Sequence, residues 1–230
     1  MTEAGSAGRI VIVSGADEHA DPWHALDATS AAIADVVNGA GEVRIAKTDD
    51  VGAWADADLL ILNVSGDLAV PPHPSTAQVD AIEAHHRAGR PIIAMHSSSL
   101  AFRDDDRWHR ILGGRWIPGV TMHPQIGNAL IQATPAAAAP AGSVPFEEDF
   151  FVYDERYSAL EIREDVHVLA RHTEDGTVHP LVWWAAGGPA GGAVVYDALG
   201  HGVESFESEA HSAWLAATAA ALLAVPGDNA

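Results

Sequence analysis

A histidine and three serines follow a short apolar segment near the middle of the chain, in Ile92-Ile-Ala-Met-His-Ser-Ser-Ser99. Such a segment is typical of a buried parallel strand, and the residues after its carboxyl end enter the crevice where open α/β sheets bind ligands. An imidazole there acts as a general acid or base near neutral pH, or as a metal ligand. We therefore predict that His96 is catalytic, together with the adjacent Ser97.

Two further candidates for catalysis follow other predicted strands. His201 stands between two glycines, which let a ligand approach the backbone closely. Glu155 stands in the cluster Asp154-Glu-Arg-Tyr157, where it would orient an imidazole, act as an acid, or form an ion pair with Arg156. We also predict a set of substrate-binding residues near the ends of strands and in the loops between them: His19, Asn63, His123 and Tyr157.

The spacing of the histidines does not decide between acid–base catalysis and metal binding. The sequence contains neither His-Glu-x-x-His nor His-x-His, so the metal ligands stay unassigned and a divalent ion such as zinc is only a candidate cofactor. A serine nucleophile is disfavoured, because Gly-x-Ser-x-Gly is absent and an adjacent histidine reaches Ser97 poorly. Five histidines are expected at the surface: His24, His73, His85, His86 and His211.

The elements that must position these residues alternate between apolar strands and helix-length segments. This pattern predicts an α/β fold with three layers: a doubly wound, mostly parallel sheet of the flavodoxin-like kind with helices on both faces. The parallel strands are predicted at 9–14, 43–46, 58–63 and 91–95, and an antiparallel extension at 150–153, 166–170, 178–184 and 192–196. We expect one domain over 9–224, with flexible termini at 1–8 and 225–230.

Two helix starts carry local signals. Asp21 is predicted to cap a helix that has Pro22 at its first position and Trp23 on its inner face. Ser75 and Gln78 match a capping box for the helix that precedes the strand ending at Met95.

The composition excludes several classes of function. The chain has 230 residues, 32 of them acidic and 12 basic, so its net charge of −20 disfavours nucleic acids and other polyanions but not neutral ligands such as sugars. No apolar run is long enough to span a membrane. The absence of cysteine excludes disulfides and thiolate chemistry and fits a cytoplasmic protein.

Several segments, taken in order, carry a resemblance to a known family. They are Val13–Gly15 with His19, Leu60–Asn63, Gly89–Ser97 with Phe102, Trp108 with Leu112–Arg115, His123-Pro124, Phe151–Tyr157, Pro180–Trp183 and Tyr196–His201. Together they resemble the ThuA-like family, named after a trehalose-utilisation protein and built on the class I glutamine amidotransferase-like fold. The chain departs from the family pattern at Ala94, Ser98, Arg156 and Gly202, where Gly, Ala, Leu and Asp are usual.

The resemblance implies an enzyme of carbohydrate metabolism. Its substrate would be a sugar, a keto-sugar or a disaccharide derivative. The reaction would use acid–base catalysis by His and Glu, or a metal ion. The protein would form a homodimer. Glutaminase activity is excluded, because the thiol nucleophile has no counterpart in a chain without cysteine. The alternative is a non-catalytic sugar- or partner-binding module. Five tryptophans are candidates for stacking on sugar rings: Trp54, Trp108, Trp116, Trp183 and Trp184.

Overall fold

The computed structural model describes residues 7–140, 142–186 and 191–224. Its strands are β1 (Arg9–Ser14), β2 (Glu42–Lys47), β3 (Leu59–Asn63), β4 (Ile92–Met95), β5 (Gly114–Arg115), β6 (Gly127–Ala133), β7 (Phe150–Asp154), β8 (Glu161–Ile162), β9 (His167–Glu174), β10 (Thr177–Ala185) and β11 (Val194–Asp197). Its α-helices are α1 (Leu26–Val37), α2 (Thr76–Arg87), α3 (Asp106–Leu112) and α4 (Glu209–Ala224). The ends of the predicted termini, residues 1–6 and 225–230, lie outside the described residues.

Nine of these strands form one mixed sheet in the order β2-β1-β3-β4-β11-β10-β9-β6-β7. The first five strands in this order are parallel. Every residue of β3 and β4 is buried, because helices cover both faces of this half. The predicted parallel sheet is confirmed.

The helices form a layer on each face of the sheet. The crossover from β1 to β2 and the crossover from β3 to β4 run in opposite directions along the sheet. Because such crossovers are right-handed, α1 and α2 lie on opposite faces. Helix α4 packs beside α1, and α3 packs beside α2. The predicted three-layer α/β architecture is confirmed.

The remaining strands of the sheet are antiparallel, as expected for the second half of the chain. Strand β7 runs in the same direction as the parallel strands, because four successive reversals separate it from β11. Its carboxyl end therefore faces the same edge of the sheet as the carboxyl ends of β4 and β11. Strand β6 was not predicted, since its exposed Leu130 is apolar like the buried Ala129 and Ile131 on either side, so the residue types do not alternate with burial.

One of the two predicted helix starts, at Asp21, is wrong, while the start at Ser75 is correct but lacks the predicted capping box. The Asp21 carboxylate accepts hydrogen bonds from the backbone N–H groups of Trp23 (2.8 Å) and His24 (3.0 Å), so it closes a turn and α1 begins only at Leu26. Trp23 is consequently 61% exposed instead of packed inward. Ser75 stands at the N-cap of α2, but its hydroxyl donates to the His73 carbonyl and leaves the helix uncapped.

Three of the five histidines expected at the surface are not there. His85 and His211 are buried, and the His24 side chain is only 8% exposed. His85 binds the Pro91 carbonyl (3.0 Å), while His211 pairs with Asp197. In the described part of the chain, no helix has the length and apolar character required to cross a membrane.

Candidate active site

His96 stands at the turn that follows β4, in a left-handed conformation (φ 37°) that a residue with a side chain rarely adopts. The Tyr196 hydroxyl holds this turn by donating to the His96 carbonyl (2.7 Å). The His96 Nδ1 lies 2.7 Å from the Ala198 carbonyl oxygen, which only accepts hydrogen bonds. Nδ1 therefore carries the proton, and Nε2 presents a lone pair to the site.

Two residues that follow β7 face this lone pair. The Tyr157 hydroxyl donates to His96 Nε2 (2.9 Å), and a Glu155 oxygen lies 3.5 Å from the same nitrogen. The same Glu155 oxygen lies 3.3 Å from Nδ1 of His201, in the turn after β11. The structure thus brings together four of the residues singled out in the sequence, His96, Glu155, Tyr157 and His201, from the ends of three strands that share one edge of the sheet.

His24 completes this group, and the sequence did not indicate it. Its Nδ1 lies 2.6 Å from the Asp21 carboxylate, and its ring centroid lies 5.0 Å from that of His96 and 4.8 Å from that of His201. Its Nε2 is buried and has no hydrogen-bond partner among the described residues. The only indication in the sequence is that Asp21 precedes His24 by three residues in the loop after β1. The prediction of Asp21 as a helix cap accounts for the same aspartate, so it did not point to His24.

His24, His96, Glu155 and His201 each offer one ligand atom, and these atoms lie within 4.8 Å of one another. We call these four residues the His₃Glu cluster. Three imidazoles and one carboxylate form a donor set that suits zinc. Tetrahedral zinc with bonds of about 2.1 Å separates neighbouring ligands by roughly 3.4 Å. The Glu155 oxygen lies 3.3 Å from His201 and 3.5 Å from His96, so the cluster fits a metal ion.

The charges of the cluster also suit a cation. Burial opposes ionisation of Glu155, but its contacts with the imidazoles of His201 and His96 outweigh this effect and lower the Glu155 pKa well below its usual range. The interaction with Glu155 raises the pKa of His201. Burial lowers the pKa of His24 and keeps this ring neutral. Burial likewise opposes ionisation of Asp21, yet its bond to His24 lowers the Asp21 pKa to about 2.

Three residues of the cluster, His24, Glu155 and His201, line a cleft of about 460 Å³ whose walls are largely apolar, and the buried His96 lies behind them. Trp23 and Leu68 line it with exposed side chains, and Trp116 lines it beside Tyr157, with ring centroids 4.8 Å apart. No Lys or Arg is among the lining residues of the described chain. Of the five tryptophans expected to stack on sugars, only Trp116 lines the cleft, whereas the other four are buried in the core: Trp54, Trp108, Trp183 and Trp184.

Four other predicted site residues divide between the cleft and its surroundings. His123 and Tyr157 line the cleft, with His123 Nδ1 3.5 Å from the second Glu155 oxygen. Ser97 is buried and donates to the Val64 carbonyl (3.1 Å), so its hydroxyl does not line the cleft. Asn63 also lies outside it.

The Asn63 amide anchors the first turns of α1 through the Leu26 carbonyl (3.1 Å) and the hydroxyls of Thr29 (2.8 Å) and Ser30 (2.9 Å). His19 packs against Phe102, with ring centroids 4.9 Å apart, and lines a separate small cavity. Neither position brings the side chain to the His₃Glu cluster.

The chain is similar to one protein family and to several solved structures. The sequence model of the ThuA family, described as trehalose utilisation, matches residues 9–219. A ThuA-like protein from Parabacteroides merdae has 14% identity and a TM-score of 0.74, over 98% of this chain and 92% of its own. A ThuA-like protein from Bacteroides uniformis has 16% identity and a TM-score of 0.71, over 99% of this chain and 96% of its own.

A β-galactosidase from Rahnella sp. R3 shares the fold more distantly. It has 14% identity and a TM-score of 0.61, over 93% of this chain but only 31% of its own. At such identities the likeness extends to the fold alone. In the comparison of sequences, no curated protein matches the chain significantly.

Proposed function

The chain belongs to the ThuA (trehalose utilisation) family, and from this premise we propose that it is a metal-dependent enzyme that acts on a neutral sugar or keto-sugar derivative. The observation that carries the proposal is the convergence of four ligand atoms at the base of a cleft with aromatic walls. Three of these ligand residues come from the ends of separate strands or from the turns after them, and the fourth comes from the loop before α1.

His24, His96, Glu155 and His201 would hold the ion, with zinc favoured by the donor set. A bound divalent ion would supply Lewis-acid polarisation of a sugar carbonyl or hydroxyl oxygen, which would have to bind as a fifth ligand beside the four residues. The Asp21 carboxylate fixes the ring orientation of His24 and directs Nε2 toward the cluster. The Ala198 carbonyl does the same for His96.

Two side chains beside the cluster remain for the substrate. Burial raises the pKa of Tyr157 well above its usual value, so this phenol keeps its proton and donates a hydrogen bond. His123 is 38% exposed in its side chain and touches the Glu155 carboxylate, so it can exchange protons with solvent and with a bound substrate. We assign proton transfer to His123. Because the ion would take the single lone pair of His96 Nε2, the Tyr157 hydroxyl would be released from this nitrogen, and we assign to it the hydrogen bond to a sugar oxygen.

The walls of the cleft support a sugar as the ligand. The indoles of Trp23 and Trp116 offer apolar faces to the C–H groups of a pyranose ring, while the carboxylates and imidazoles at the base bind its hydroxyls. Apart from the proposed ion, a phosphorylated sugar would meet the carboxylates of Asp21 and Glu155 without any Lys or Arg side chain of the described chain to offset their charge. The substrate we propose is therefore unphosphorylated.

The proposal is tested with trehalose and with trehalose oxidised to a ketone on one ring, each incubated with zinc-loaded protein and followed by NMR. We expect the wild-type protein to convert the keto-sugar to a product. This conversion should be abolished when zinc is chelated, and also in the variants His96→Ala and Glu155→Gln. Asp149→Asn, a change remote from the cleft, serves as the control. Binding of the sugar without conversion would support the non-catalytic module instead.

A further inference from the structure

Asp154, the last residue of β7, is 1% exposed and binds three backbone N–H groups. One carboxylate oxygen accepts from Glu155 (2.8 Å) and His201 (3.2 Å), and the other accepts from Gly200 (2.7 Å). These bonds join two segments that are more than forty residues apart in sequence. They also show that the antiparallel half of the sheet curls back, because three strands separate β7 from β11.

The segment that Asp154 binds, residues 198–201, contributes twice to the His₃Glu cluster. Its first residue, Ala198, accepts the Nδ1 proton of His96, and its last residue, His201, supplies a ligand. Gly200 lies between them at φ +111°, a conformation that other residues rarely adopt. A displacement of this turn therefore moves His201 and releases the hydrogen bond that orients His96.

We propose that Asp154 is the positioning residue of the cluster, because it fixes Glu155 to the turn that holds His201 and orients His96. The inference rests on the proposed metal centre. Asp154 is not itself a ligand in this arrangement, since both of its oxygens already accept backbone hydrogen bonds. Its effect on the metal is exerted through three of the four ligands.

Asparagine at position 154 keeps the size of the side chain and removes one of the two acceptor oxygens. The NH₂ group that replaces this oxygen is a hydrogen-bond donor and faces a backbone N–H, which is also a donor. One hydrogen-bonded connection between β7 and the turn is therefore lost. The chain offers a matched control at the opposite end of the same strand. Asp149, just before β7, accepts the backbone N–H of Ala133 (2.9 Å) but does not line the cleft.

The test compares Asp154→Asn and Asp149→Asn with the wild-type full-length chain. Zinc affinity is measured by competition with a chromophoric chelator, the ligand geometry by the visible spectrum of the cobalt(II) form, and the integrity of the fold by thermal unfolding without metal. We expect Asp154→Asn to weaken zinc binding about 10- to 100-fold and to change the cobalt spectrum. Asp149→Asn should match the wild-type protein in affinity and spectrum.

A purely structural role for Asp154 predicts a lower unfolding temperature with unchanged zinc affinity and cobalt spectrum, and that result overturns the inference. If Asp154→Asn does not fold, Asp154→Glu gives the same test, because it keeps the carboxylate but displaces the turn. A wild-type protein that binds neither ion contradicts the metal centre itself. If the wild-type protein binds zinc and Asp154→Asn binds it with the same affinity, only the positioning role of Asp154 is contradicted.

Discussion

His24 and Asp21 form a carboxylate–imidazole pair in the loop before α1, with the His24 Nδ1 2.6 Å from the Asp21 Oδ2. The other ring nitrogen of His24 is buried, and no group in the described part of the chain forms a hydrogen bond with it. An unpaired buried nitrogen is costly, and a carboxylate behind a histidine is the usual arrangement around metal-ligating imidazoles. The pair thus supports the proposal that His24 Nε2 is a metal ligand.

We predict that Asp21→Asn weakens zinc binding about 10- to 100-fold, because the amide holds the His24 ring less firmly and lowers its basicity. Isothermal titration calorimetry measures the affinity, and circular dichroism checks the fold. Asp67→Asn is the matched control, since Asp67 accepts a backbone N–H (2.7 Å) in the loop after β3 and does not line the cleft. Equal affinities for the two variants would refute the supporting role of Asp21.

Zinc affinity should fall as the pH is lowered. The interaction with Glu155 raises the pKa of His201 above 6.5, so a proton on His201 competes with the metal near neutral pH. His24 adds no such competition there, because burial lowers its pKa. We expect affinity to rise with pH through the His201 pKa and then to level off. Titration calorimetry in buffers of different ionisation enthalpy, at about pH 6 to 8, counts the released protons. An affinity independent of pH, without proton release, argues against His201 as a ligand.

Trp23→Ala should weaken sugar binding without affecting the metal. Stacking on an aromatic ring contributes roughly 0.5–1.5 kcal/mol, so we expect KM for the keto-sugar to rise about two- to tenfold with little change in kcat. Phe151→Ala removes an aromatic side chain of similar exposure (68% against 61%) that does not line the cleft, and it should leave KM unchanged. The same KM for all three proteins would rule out Trp23 as a sugar platform.

His211, on α4, and Asp197, the last residue of β11, form a buried pair next to the turn after β11, with Nε2 and Oδ2 2.7 Å apart. His211→Leu leaves the Asp197 carboxylate buried without its partner, so we expect a loss of about 3–5 kcal/mol in the free energy of unfolding. Urea unfolding measures it. His73→Ala, at an exposed loop position, should cost far less. A His211→Leu protein as stable as the wild type would contradict the ion pair.

The same pair makes a prediction about pH. Burial lowers the pKa of His211, but attraction to Asp197 outweighs it, so the pKa is raised in the folded protein. The stabilisation is therefore complete below the unfolded pKa of 6.5 and is lost as the pH rises through the folded pKa. The stability difference between wild type and His211→Leu should shrink in alkaline buffer, and a difference that grows there would reverse this assignment.

The sequence allowed the parallel half of the fold to be predicted, because strands buried on both faces are continuous apolar runs. Strand β1 was predicted with its observed bounds, and β3 and β4 within one residue. His96 and His201 follow such strands, so the sheet geometry alone places them at one edge. Glu155 required one more fact, the direction of β7, which depends on the number of strand reversals between it and β11.

His24 could not be predicted in the same way, because its position depends on contacts distant in sequence. Asp21 is held by a hydrogen bond from Ser65, in the loop after β3, as well as by the local N–H groups. The residues next to Asp21 in the sequence predict a helix cap, since an Asp before a Pro commonly begins a helix. Only the folded chain shows that Asp21 closes a turn that directs His24 to the cluster and leaves Trp23 exposed.

The most direct measurement is a crystal structure of the zinc-loaded protein with anomalous data collected on both sides of the zinc edge. We predict one strong zinc peak bounded by the Nε2 atoms of His24 and His96, the Nδ1 of His201 and the Glu155 carboxylate. A protein soaked in zinc that shows no peak between these four residues would contradict the account.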